Sequence, residues 1–227
     1  MSLRSSTDPT RVRLSRAALE LFSERGFHGT GIRDIGTRAG VSTSGLYQYV
    51  RSKADALGDL IADGLGRHCD ALEAAHRSVD EVEEKLAALV SVQVVVPVRH
   101  RAMSRLLHQE LPMHDWSTHP RISACHHRIQ GLWTDVLVAG RDEGVFEFGS
   151  ERTARIALVR AMTQVTRWYQ EGDETELPDL VAQHVDFALG GVRARRGGRY
   201  LRAAQVRRPS FESVSSIVDD AHQGVWW

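Results

Sequence analysis

Residues 30–53 read TGIRDIGTRAGVSTSGLYQYVRSK, and this stretch decides the fold. Two short helical patterns flank a glycine. Ile32, Ile35 and Ala39 recur at the spacing of one helix face, Gly40 supplies a tight turn, and Val41, Leu46 and Val50 can pack a second helix against the first. That is the layout of a helix-turn-helix, in which the second helix enters the major groove of DNA. The packing leaves Thr43, Ser44, Gly45, Tyr47 and Gln48 on the exposed side. Hydroxyls of Thr and Ser reach base edges or phosphates, Gln can pair with adenine, and Tyr hydroxyls hold phosphates. Thr30, Arg33 and Lys53 flank this surface as expected backbone contacts, with Ser42 as the expected cap of the second helix and Tyr49 beside it.

The bulk numbers fit such a module on a larger body. With 227 residues and 42% hydrophobic content the chain can bury a core without disulfides. The two cysteines, Cys69 and Cys125, match no metal or redox spacing and read as reduced thiols. The start MSLRSSTDPTRVRLSR has no apolar signal region, and no run of about 18 apolar residues occurs, so a soluble, cytoplasmic protein without membrane contact is expected. Net charge is zero, yet residues 1–53 carry nine basic side chains against four acids, and residues 190–208 carry seven arginines and no acid. A basic end on an acidic body suits a partner made of phosphates.

Outside the motif the apolar spacing is helical almost throughout, so the fold class is all-α. Helices are expected over Thr10–Arg25, Gly31–Ala39 with Thr30 as cap, Thr43–Tyr49, Ser52 to Ala75, and Val79–Val96. Pro97 is expected to start or kink the next helix, which Leu111-Pro112 ends before a loop over 113–120. Arg121–Glu143, Ser150–Glu171 and Leu177–Arg193 complete the set. The expected domains are an N-terminal three-helix DNA-binding domain over 1–57, a helical ligand-binding and dimerisation domain over 58–193, and a basic, disordered tail over 194–227.

The motif residues Thr30, Asp34, Ile35, Gly36, Ala39, Gly40, Val41, Ser42, Leu46, Tyr47, Tyr49, Val50, Ser52 and Lys53 resemble, in order and spacing, the DNA-binding domain of the TetR/AcrR regulators. The likeness covers about residues 11–60, including LFSERGFHGT. Gly36 and Val50 depart from the alanine and phenylalanine usual in that family. The resemblance implies a homodimer on a palindromic, double-stranded operator, with a small effector shifting the two heads between compatible and incompatible separations. It also implies dimerisation through the last two helices, here 150–171 and 177–193, whose apolar faces would be Ile156, Val159, Val165, Val181, Val185 and Leu189. Arg167, Trp168 and Tyr169 resemble the RWY stretch of family members that respond to acyl-CoA thioesters.

Candidate ligand-binding residues are the large or polar ones on otherwise apolar helices: Met103, Leu107, Trp116, His126, Trp133, Gln164 and Trp168. His100, His108, His114, His119, His126 and His127 crowd one region, but their spacing does not converge on a metal, and neither a metal nor a cofactor is expected. No nucleophile elbow, phosphate loop or carboxylate pair accompanies them, so an enzyme is not expected either. The reading is a ligand-responsive transcriptional regulator, a repressor released by a small apolar effector. The alternative is a helical binding module whose head no longer reads DNA, which Gly36 and Val50 would favour.

Overall fold

The computed structural model describes residues 8–116, 119–170 and 172–221, and they are helical as expected. The helices are α1 (Pro9–Arg25), α2 (Ile32–Arg38), α3 (Thr43–Leu46), α4 (Lys53–Arg77), α5 (Val82–Arg99), α6 (Arg101–Glu110), α7 (Pro120–Asp142), α8 (Glu151–Thr163), α9 (Leu177–Gly191) and α10 (Phe211–Ala221), with a short hairpin of β1 (Arg195–Arg196) and β2 (Arg199–Tyr200). No single helix among the described residues is long and apolar enough to cross a membrane.

Contacts divide the chain into two compact units, and the division does not follow a boundary at residue 57. The first takes the described residues up to 66 together with 100–125; the second takes 67–99 and 126–221. Segment 100–125 joins the first unit because α6 packs on α1, and the Ser23 hydroxyl donates to the Ala102 carbonyl at 3.5 Å. Leu14, Ala17, Ala18, Leu21 and Phe22 of α1 form the floor of this unit, buried with Ile35 and Leu46.

The second unit is built around α5. Its residues from Leu86 to Val98 are all buried, and a helix apolar all round is stable only when enclosed. α8, α9 and α10 pack on it, and Trp133, Val136 and Leu137 of α7 join the same core. Pro97 neither starts nor breaks the helix: it stands two residues from the end, where it deletes one backbone bond, and the chain turns only at His100. At the end of α7 the Phe146 ring lies so close over Gly140 that any Cβ there would fall 2.0 Å from it. Only glycine admits that contact.

The segment after α9 corrects the expectation of a disordered tail. Ala194, Ala203, Val206, Val214 and Val218 are buried in the α5 core, and α10 covers part of α5. Three of the seven arginines that make the composition look like a solvated arm are paired with carboxylates. Arg196 makes paired bonds to Glu83 at 2.7 and 2.8 Å and another to Glu81 at 2.6 Å, while Arg193 and Arg195 share Glu147. Residues 222–227 of the expected tail, and Glu171 at the end of one expected helix, lie outside the described residues.

Candidate nucleic-acid interface

The head is assembled by caps and one turn. Asp8 opens α1, its Oδ1 accepting from the Thr10 amide at 2.9 Å, and Asp34 accepts from the Gly31 amide at 3.0 Å to open α2. Gly31, not Thr30, is therefore the cap. Gly40 turns the chain with φ of 65°, and the Val41 amide bonds back to the Gly36 carbonyl at 2.9 Å. Ser42 Oγ then accepts from the Gly45 amide at 3.2 Å and starts α3. α3 is shorter than the expected Thr43–Tyr49: it ends at Leu46, and 47–49 continue as a tight turn. Leu46 is fully buried against α2, where a Cβ on Gly36 would stand 3.3 Å from its Cδ2. Glycine at 36 thus lets the two helices approach closely, and Val50 stays half-buried; neither departure from the family pattern disturbs the motif.

Thr43, Ser44, Tyr47 and Gln48 emerge exposed, with Tyr47 at 50%. Thr43 with Tyr47 and Ser44 with Gln48 are one turn apart, so they share a face. Ser44 shares a hydroxyl contact with Ser42, while Thr43, Tyr47 and Gln48 spend no side-chain bond on the protein. Arg33 is exposed on α2. Gly45 is half-buried, its α-carbon turned to Val41 and Ser42, so it contributes by letting α3 approach rather than by a side chain.

Three expected contacts have other employment. Thr30 is buried, and its hydroxyl donates to the carbonyls of Leu21 at 3.2 Å and Gly26 at 2.9 Å, pinning the loop after α1. Tyr49 donates its hydroxyl to Asp8 at 3.1 Å, tying the end of the motif to the start of α1. Lys53 donates to the Phe27 carbonyl at 2.7 Å with its ammonium 4.3 Å from the Phe27 ring centroid. Phe27 in turn meets His114 edge-on at 5.2 Å, so the head rests on a segment some ninety positions away that sequence spacing gives no means of finding. Arg38 is engaged with Glu20 and Glu24, whose hydrogen bonds push its pKa further up.

The candidate ligand residues do not form one group. Met103, Leu107 and Trp116 fall in the first unit, and His126, Trp133, Gln164 and Trp168 in the second. Met103 is buried over Gly64, and Trp116 stands between His114 and His119. Trp133 is fully buried, Gln164 half-buried, and His126 and Trp168 are exposed, Trp168 stacking on His184. Of the apolar faces expected at a dimer contact, Val165, Val181, Val185 and Leu189 point into the subunit's own core. α9 needs Val181, Val185 and Leu189 to cover α5. Ile156 at 45% and Phe187 at 58% exposure are what α8 and α9 leave outside.

Residues 14–58 match the model of bacterial regulatory proteins of the tetR family, and residues 79–192 that of the tetracyclin repressor-like C-terminal domain. A curated relative, the HTH-type transcriptional repressor KstR2 of Mycolicibacterium smegmatis, is 25% identical over 84% of this chain and 94% of its own. Among solved structures, the fatty acid degradation regulator FadR from Bacillus halodurans superposes with a TM-score of 0.70 at 24% identity, covering 86% of this chain and all of that one. AibR, solved in complex with isovaleryl coenzyme A and operator DNA, gives 0.71 at 15% identity over 79% and 97%.

Proposed function

The chain belongs to the TetR family of bacterial regulatory proteins, and from that premise we propose that it is a cytoplasmic homodimer that represses from a palindromic operator and lets go when it takes up an acyl-CoA thioester. It is a ligand-responsive DNA-binding regulator; the family is one of regulators, not enzymes. The observation that carries the reading is the face of Thr43, Ser44, Tyr47 and Gln48, held out by a fully formed helix-turn-helix with three of its four side chains uncommitted. Groups left free of intramolecular bonds on a recognition helix are available for base edges and phosphates. Arg33 adds a phosphate contact from α2.

The thioester is supported by the ligand named with AibR and by the Arg167-Trp168-Tyr169 stretch. Operator and effector would each favour one of two conformations of the dimer, so that binding of one weakens the other. For the dimer, Ile156 and Phe187 are apolar and exposed on α8 and α9, and a second copy would cover them. Helix packing of that kind gives a two-fold contact suited to two half-sites.

The test is fluorescence anisotropy with a duplex from the intergenic DNA beside the gene, against a scrambled duplex, at two salt concentrations. Tight, selective and salt-sensitive binding that Gln48→Ala weakens, and that acyl-CoAs reverse, is expected. Equal weak binding to both duplexes refutes the reading and leaves a binding module with a silent head.

A further inference from the structure

Trp133 is only 1% exposed and lies in the apolar core of the second unit, yet its indole Nε1 has no acceptor. The indole N–H is a donor and nothing else, and buried ones ordinarily find a partner. Packing does not require it, since phenylalanine would fill an apolar core without a polar atom. One turn away on the helix stand Ile129, Val136 and Leu137, which carry no acceptor, and Gln130, which is exposed and does not accept from it. The described residues give this N–H no acceptor, so one from outside the chain can meet it.

The surroundings say what kind. The buried polar residues of this unit are His68, Glu83, Ser91, Gln93 and Ser215. Glu83 is the one carboxylate and is already paired with Arg196; His68 and Gln93 bond each other at 2.9 Å; the Ser91 hydroxyl donates to Ala87. Among the described residues no lysine or arginine of this unit is fully buried, though Arg208, half-buried, keeps its Nη1 inside without a partner. An anion placed in such a core without a counter-charge is strongly disfavoured, whereas a neutral carbonyl needs one donor. We propose that the Trp133 N–H anchors a neutral carbonyl oxygen (ketone, ester, amide or thioester) of an apolar effector bound inside the second unit, and that the free acid of the same chain is excluded. This rests on the effector reading above and narrows it.

The experiment uses the full chain with its tryptophans labelled by nitrogen-15, the Trp133 indole resonance being the one that Trp133→Phe removes. The probes are decanoyl-CoA, 2-undecanone and decanoate. The two neutral carbonyls are expected to move that resonance to lower field and to bind about tenfold more weakly to Trp133→Phe, the loss of one hydrogen bond. Decanoate is expected to leave it in place. Equal binding to parent and variant, an equal response to decanoate, or a resonance that no probe moves because a buried water already holds the N–H would each overturn the proposal. Should that variant fail to fold, Phe replacements of Trp116, Trp168, Trp226 and Trp227 assign the resonance by elimination, and the parent's spectrum then decides. Operator binding is measured without any probe, so the regulator reading and this one fail separately.

Discussion

Lys53 ends the helix-turn-helix motif, and its position invites a phosphate contact, but the structure gives its ammonium to the Phe27 carbonyl at 2.7 Å and to the face of the Phe27 ring. Lys53→Met keeps the apolar stem and removes the charge. A hydrogen bond from a charged group contributes about 1.5–3 kcal/mol and a partly exposed cation over a ring about 0.5–1 kcal/mol. The side chain is half-buried and water reaches it, so the net loss should be about 1–2 kcal/mol, a fall in melting temperature of roughly 2–8 °C for a protein of this size. Thermal unfolding by circular dichroism reads the first quantity. The salt dependence of operator binding reads the second: a lost phosphate contact lowers the slope of log K against log salt by about 0.9 per subunit, and a lost loop anchor leaves it alone. An unchanged melting temperature together with a reduced slope would refute the assignment of Lys53 to the loop.

Leu46→Ala removes a fully buried side chain from the contact of α3 with α2 and should cost about 2–5 kcal/mol in urea unfolding. Phe187→Glu puts a charge on the exposed apolar patch of α9, and sedimentation should show it shifting the proposed dimer of the parent to monomer; a dimer of undiminished strength would place the contact elsewhere. Arg196→Ala strands the Glu83 carboxylate, whose side chain is 7% exposed, and should destabilise the second unit by about 1–3 kcal/mol. The same variant ought to leave the operator salt slope unchanged, because this arginine is committed to carboxylates rather than to DNA.

The helix-turn-helix was legible because its caps, its turn and its inner packing are local. Ile35, Gly40, Ser42 and Leu46 stand within a dozen positions, and each does what its residue type does best in a cap, a turn or a core. What was not legible depends on partners far along the chain. Thr30 and Tyr49 look like surface hydroxyls until α1 is folded beside them. The valines of α9 look like a dimer face because periodicity reveals that a face is apolar, not what covers it; here α5 does. Pro97 reads as a break because a proline is costly inside a helix, and that cost shrinks two residues from its end. The arginine-rich segment reads as solvated because composition counts charges without their partners, while the spacing of Phe211, Val214 and Val218 already carried the signature of one more amphipathic helix.

The cover that α10 lays over α5 has a consequence for synthesis. Arg99 at the end of α5 meets Ser215 across 116 positions, so a helix that is buried all round emerges from the ribosome long before an element that shields it has been translated. Until then its bare flank is open to aggregation, and nascent chains halted before the last helix should be bound by chaperones that the finished protein evades.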